Sequence, residues 1–213
     1  MNWVGITSDM TMVDGRRLSV EERGERMLTA LYREMIRPEY PKFFKMDLLS
    51  KLGFIASRLL VEAAGETPVY GDKGRPETLR EDMALVICGC SGSLLTDRKF
   101  QSTIQDRSEF YPSPAVFVYT LPNIVNGEIA ISNGWCGETS CFLSDCPDPR
   151  ALAACMTEAF DDPVTSAVTG GWIDCRADDD FGALMLTVRR GETGTEVLAG
   201  WISEAAKTIG IIQ

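Results

Sequence analysis

The chain has 213 residues, of which 45% are hydrophobic and 24% charged, and carries a formal net charge of −10. That profile excludes a disordered or fibrous chain, and the surplus of carboxylates opposes nucleic-acid binding, where phosphate neutralisation demands Lys and Arg. No apolar run reaches the roughly 18 residues of a membrane span, and the start Met1-Asn2-Trp3-Val4-Gly5 lacks the basic and apolar regions of a signal peptide, so a cytoplasmic location is expected.

Residues 2–7, Asn-Trp-Val-Gly-Ile-Thr, are a short apolar run suited to a buried first strand, with a polar loop expected through Asp14-Gly15. Ser19 followed by Glu22 reads as a capping box opening a helix in which Leu28, Leu31 and Tyr32 recur at helical spacing until Pro38. The pattern resumes after Pro41. Asp47 is the expected N-cap of a second helix, whose Leu48, Leu49, Leu52, Ile55, Ala56, Leu59 and Leu60 share one face and which ends at Gly65. The polar, Gly- and Pro-rich segment 67–80 reads as a loop.

Residues 83–90 are apolar on both pleat faces, as in a central strand covered by helices on either side. Ser91-Gly92-Ser93 turns away from the strand's end, and neither a Walker A nor a GxGxxG pattern accompanies Gly89 and Gly92, so they are read as turn residues and no cofactor is expected. Three prolines in 110–123 make that stretch an ordered apolar loop rather than one regular element. A helix follows over 123–133 with Gly134 beyond its end, then a short strand at 139–144. Pro147 suits the first position of a helix reaching about Phe160, which puts Cys146 at a helix N-terminus. The segments 164–175, 182–190 and 195–202 alternate β-branched and apolar residues and read as three strands. With no repeat, linker or low-complexity tract, residues 1–213 are expected to form one domain.

Seven cysteines, at 88, 90, 136, 141, 146, 155 and 175, show no CxxC arrangement, which argues against a disulfide framework and against a zinc site. The chain contains no histidine. One local surplus of cations exists, in Arg33, Arg37, Lys42, Lys45, Lys51 and Arg58, interrupted by Glu34, Glu39 and Asp47. It is either the solvated face of two helices or a docking patch for an acidic partner.

Four segments resemble the amino-terminal half of the β-ketoacyl-acyl-carrier-protein synthases and their non-condensing chain-length-factor relatives. Lys45-Met46-Asp47 resembles the basic-x-Asp motif before an early helix, and Val86-Ile87-Cys88-Gly89-Cys90-Ser91-Gly92 the strand ending in a small-residue turn. The run 113–123, continuing into Gly127-Glu128-Ile129-Ala130-Ile131, is similar to the loop and helix that precede the synthase nucleophile. Gly137-Glu138 and Val168-Thr169-Gly170-Gly171-Trp172 resemble the nucleophile strand's opening and a small-residue strand end downstream.

The resemblance implies an α/β, thiolase-like half-fold, with a mixed sheet of about five strands covered by helices. It puts Cys146 where the family has its acyl-accepting cysteine, and a thiolate there gains from a helix N-terminus. The surroundings depart from the pattern, however: Pro147-Asp148-Pro149 replaces small residues ending in glycine, and Asp145 stands where alanine is usual. The synthases also take two further catalytic residues, usually histidines, from the other half of the fold.

Three readings stay open. The first is a non-condensing synthase-like subunit working with an acyl carrier protein, a full-length ketosynthase or a second copy of itself in fatty-acid or polyene-type synthesis, docking through Arg33, Arg37, Lys42 and Lys45. The second is a cysteine-dependent acyltransferase using Cys146, with Asp145 or Asp148 as base. The third is an unrelated α/β binding protein. A half-fold is further expected to expose an apolar face wherever a second half would pack, unless it dimerises or shortens its sheet.

Overall fold

The computed structural model describes residues 1–108 and 110–212. Its first strand, β1 (Trp3–Thr7), does not lead into a loop but into two more strands, β2 (Met10–Val13) and β3 (Arg16–Arg17). Asp14 and Gly15 both take positive φ, 50° and 79°, in the two-residue turn between β2 and β3. An Asp-Gly pair is the sequence signature of that turn, because its backbone twist matches the strands it joins and its φ values suit Gly and Asp. The polar loop expected there is therefore a hairpin.

The helix expected from Ser19 begins later, as α1 (Glu25–Met35), with Gly24 at its cap and no capping side chain. The intervening residues are held outside the helix because Leu18 N–H donates to the Thr11 carbonyl at 2.8 Å and Gly24 N–H to that of Ser8 at 2.6 Å. In contrast α2 (Leu48–Ala63) starts as expected, with the Asp47 carboxylate accepting from Ser50 N–H at 3.0 Å. Then come β4 (Met83–Gly89), α3 (Leu94–Ser102), the short α4 (Pro114–Phe117), α5 (Ile124–Asn133), β5 (Thr139–Leu143), α6 (Pro149–Glu158), β6 (Ala167–Ala177), β7 (Asp180–Arg189) and α7 (Thr195–Thr208).

Residues 195–202, expected as a strand, open α7. Their apolar residues continue at helical spacing, Leu198, Ala199, Ile202, Ala205, Ala206 and Ile209 all being buried. An eight-residue window stops before that period repeats.

The sheet has seven strands in the order β3-β2-β1-β7-β6-β4-β5, more than expected, because the first hairpin extends it. Strands β4, β5 and β6 are mutually parallel in their pairings, and the remaining pairs are antiparallel. Alternation along the strands splits the core in two. Met83, Leu85 and Ile87 of β4 join α1, α2 and α5 on one face, while Ala84, Val86 and Cys88 join α6 and α7 on the other. Helices α2 and α5 cross at Gly53, where an added Cβ would sit 2.5 Å from Val125 Cγ2. Only glycine permits that approach.

Candidate functional site

The backbone just beyond the carboxyl end of β4 meets Asp174, which is buried near the end of the adjacent parallel strand β6. Its Oδ1 accepts from the backbone N–H of Cys90 at 3.1 Å and of Ser91 at 2.7 Å, and lies 2.6 Å from the Ser91 hydroxyl. Its Oδ2 faces Arg176 Nε at 3.3 Å. The Ser91-Gly92-Ser93 turn is thus pinned by a carboxylate from another strand, in keeping with its reading as a turn. Beside it a cavity of about 320 Å³ is lined by Asp9, Pro147, Trp172, Asp174, Arg176 and Phe181, among others.

Cys146 lies in the loop from β5 to α6 and is exposed. The loop is tied down by Ser144 N–H donating to the Gly89 carbonyl at 3.0 Å, and by the Cys90 thiol donating to the Asp145 carbonyl at 3.3 Å. The helix beyond starts at Pro149 rather than Pro147, which leaves Cys146 outside its first turn. Asp148 is the N-cap, its Oδ1 accepting from Arg150 N–H at 2.9 Å and Ala151 N–H at 3.2 Å. The amides expected to stabilise a Cys146 thiolate are therefore taken by a carboxylate two residues away.

Other thiols are set by burial. It pushes Cys88 up to about 12 and raises Cys141, Cys155 and Cys175 above the ordinary cysteine range, because an apolar surround disfavours the thiolate. At neutral pH these four stay protonated.

The basic residues divide by environment. Arg33, at the end of α1, and Lys45, on a single 3-10 turn over Pro41–Lys45, are exposed and enter no ion pair among the described residues. Arg37 turns back on its own helix end, donating to the carbonyls of Ile36 at 2.7 Å and Arg33 at 2.8 Å. Lys42 is engaged in the fold: its Nζ lies 2.6 Å from Oε1 of the buried Glu128 on α5, an oxygen that also accepts from the Tyr119 hydroxyl at 3.1 Å. Sequence grouped these cations as one patch, and the structure assigns Lys42 an internal task.

A surface that sequence reasoning missed lies at the β5 edge. Strand β5 pairs with β4 on one side and closes the sheet order. Phe142 and Leu143 are exposed on it, and Leu94, Phe117, Val118 and Leu121 are exposed on neighbouring segments. Contacts link these segments: Gly92 lies between Leu143 and Pro122, Ser93 Oγ donates to the Thr120 carbonyl at 2.7 Å, and the rings of Phe100 and Phe117 are 5.4 Å apart. The signal available was the proline-rich apolar stretch 110–123, which follows neither a helical nor a strand period. As expected it is not one regular element: within the ordered loop lie α4 and a 3-10 turn, Val118–Thr120, with Tyr119 inward and Phe117, Val118 and Leu121 outward.

The outer face of the α6–α7 layer is mixed, with Val197 exposed among charged side chains. That layer turns Arg150, Glu196, Glu204 and Lys207 to solvent, and Arg150 and Glu196 approach to 3.8 Å.

No protein-family model and no curated protein matches this chain. Solved structures do. The ishigamide ketosynthase/chain length factor matches 91% of this chain and 62% of its own, at 13% identity and a TM-score of 0.60. A ketosynthase (ApeO) in complex with its chain length factor (ApeC) from Xenorhabdus doucetiae matches over 95% of this chain and 90% of the matched chain, at 11% identity and 0.57. A β-ketoacyl synthase from Burkholderia phymatum STM815 matches over 99% and 60%, at 14% identity and 0.59. The chain thus has the thiolase-like α/β fold of the ketosynthases, as its motifs imply, and spans about three fifths of the length of two of these three chains.

Proposed function

We propose that this chain is a non-condensing, ketosynthase-like subunit that pairs with a ketosynthase in carrier-protein-dependent acyl-chain synthesis. One observation carries the reading: the sheet ends in an edge strand, β5, that bears exposed Phe142 and Leu143, and the segment linked to it through Gly92 and Pro122 bears exposed Phe117, Val118 and Leu121. Open strand edges and contiguous apolar patches are costly on an isolated protein and are ordinarily covered by a partner. Two of the fold neighbours are described as a ketosynthase with a chain length factor, which supports the choice of partner.

A condensing role is poorly supplied. The chain has no histidine, and the free amides at the start of α6 are capped by Asp148 rather than turned to Cys146. Loss of proton transfer and of charge stabilisation each costs orders of magnitude in rate. The alternative, acyl transfer by Cys146 itself, draws on the exposure of that thiol in the β5–α6 loop.

The test is co-expression with a ketosynthase and carrier protein encoded beside this gene, followed by affinity capture and light scattering. A stable pair that Phe142→Lys with Leu143→Lys disrupts, while the double variant stays folded alone, is the expected result. Failure of the unaltered chain to associate with any such ketosynthase sinks the reading.

A further inference from the structure

Arg58, on α2, is 3% exposed. A buried guanidinium is ordinarily matched by a carboxylate, because its desolvation costs several kcal/mol. Among the described residues Arg58 forms no ion pair. Its Nη2 donates to the Arg37 carbonyl at 2.6 Å, and its Cζ lies 5.7 Å from the Phe54 ring centre and 4.5 Å from that of Tyr70. Among the described residues the Nη1 atom has no hydrogen-bond partner, and neither does the buried Tyr70 hydroxyl beside it.

A structural role as a cap on the end of α1 accounts for Nη2 and leaves Nη1 and the net charge unanswered. Carbonyl dipoles and ring faces offset part of the burial cost but bring no negative charge. A cavity of about 220 Å³ adjoins the guanidinium, lined by Met35, Ile36, Arg37, Arg58, Glu62 and Thr67. It gathers two guanidiniums, a hydroxyl and an apolar wall against one carboxylate. Arg37 is steadied at this position by its two bonds to backbone carbonyls.

We propose that this cavity binds a small oxyanion on a short apolar stem, the head between Arg58 and Arg37 and the stem against Met35 and Ile36. Guanidinium suits this task because its planar fork meets carboxylate or phosphate oxygens two at a time. Full contact with Nη1 requires the segment carrying Tyr70 to shift outward. Within that segment, residues 64–82, the part around Tyr70 carries one 3-10 turn, Asp72–Gly74, and an isolated bridge between Tyr70 and Pro76, while its far end is fixed by a bridge between Arg80 and Trp135. The site lies apart from the β5 edge, so the proposal stands independently of the partner reading.

The experiment titrates the whole chain with inorganic phosphate and, separately, with butyrate by calorimetry at constant ionic strength. One saturable site is expected for at least one of them, and the tighter probe identifies the head as phosphate or carboxylate. Glu62→Gln removes the opposing charge and should tighten binding about two- to fivefold, the range of one partly screened charge contact. Arg37→Ala should weaken it by a similar factor. Lys45→Ala, outside the cavity, should leave it unchanged. All three sites are exposed, so these variants are expected to fold even where Arg58→Met does not. The proposal is overturned by absence of saturable binding to both probes, by indifference to Glu62→Gln and Arg37→Ala, or by an equal response to Lys45→Ala.

Discussion

Lys42 Nζ stands 2.6 Å from Glu128 Oε1, joining a side chain that is 47% exposed to one that is 4% exposed. The pair fastens the 3-10 turn at Pro41–Lys45 to α5. Among the described residues Glu128 Oε2 has no hydrogen-bond partner, so the lysine and the Tyr119 hydroxyl supply the carboxylate's compensation at Oε1. Lys42→Met should therefore destabilise the fold by about 1–3 kcal/mol in urea unfolding, the cost of stranding a buried charged group. Adding Glu128→Gln should recover most of that loss. If the double variant instead loses the sum of the two single losses, the pair is not the unit of stability.

Acid stability should depend on Asp82. Its carboxyl is held well below the usual carboxylate range, first by the bidentate hydrogen bonds from Arg80 at 2.9 and 2.8 Å and then by the Ser166 hydroxyl. A depressed folded pKa contributes stability above the unfolded value, about 3.9, and the contribution is lost as pH falls through that value toward the folded one. Both partners are more than a third exposed or nearly so, so the effect is modest. Urea midpoints taken from pH 7 to pH 3 should fall less steeply below pH 4 in Arg80→Gln than in the unaltered chain. Parallel curves for the two proteins would remove Asp82 from the account.

At the α2–α5 crossing, Gly53→Ala should cost about 1–3 kcal/mol, because the new methyl meets Val125, Ile129 and Ile173 at once. Val125→Ala in the same chain should relieve part of the overlap. A neutral Gly53→Ala would mean that the two helices part without loss.

Alkylation with iodoacetamide near pH 8 should label the exposed Cys136 and Cys146 at similar rates and leave Cys88, Cys141, Cys155 and Cys175 unmodified until urea unfolds the chain. Peptide mapping by mass spectrometry reads each site. Labelling of Cys146 far ahead of Cys136 would restore the acyl-transfer reading, since only an activated thiolate reacts so selectively.

The features legible in the sequence are those written in neighbouring residues. Asp47 before an apolar face fixed the start of α2, and eight apolar residues in succession fixed β4, because each signal needs only the backbone period to be read. The hairpin at Asp14-Gly15 was equally local and was overlooked beside the Ser19–Glu22 box, which lost to the bonds of Leu18 and Gly24 with the hairpin. The tertiary pairings were beyond reach. Nothing near Lys42 announces Glu128, and nothing near Ser91 announces Asp174, since each pair is created by strands and helices distant in the chain. The address of Cys146 could be read from its place between β5 and α6; its environment could not, because that depends on where the helix begins.

The sheet's two ends are dissimilar. Strand β3 is two residues long and both, Arg16 and Arg17, are exposed cations, while β5 offers a longer edge flanked by aromatic and aliphatic side chains. Short, charged edges repel a further strand. Two arginines thus guard one border of the sheet against an added strand, a protection that β5 at the other border lacks.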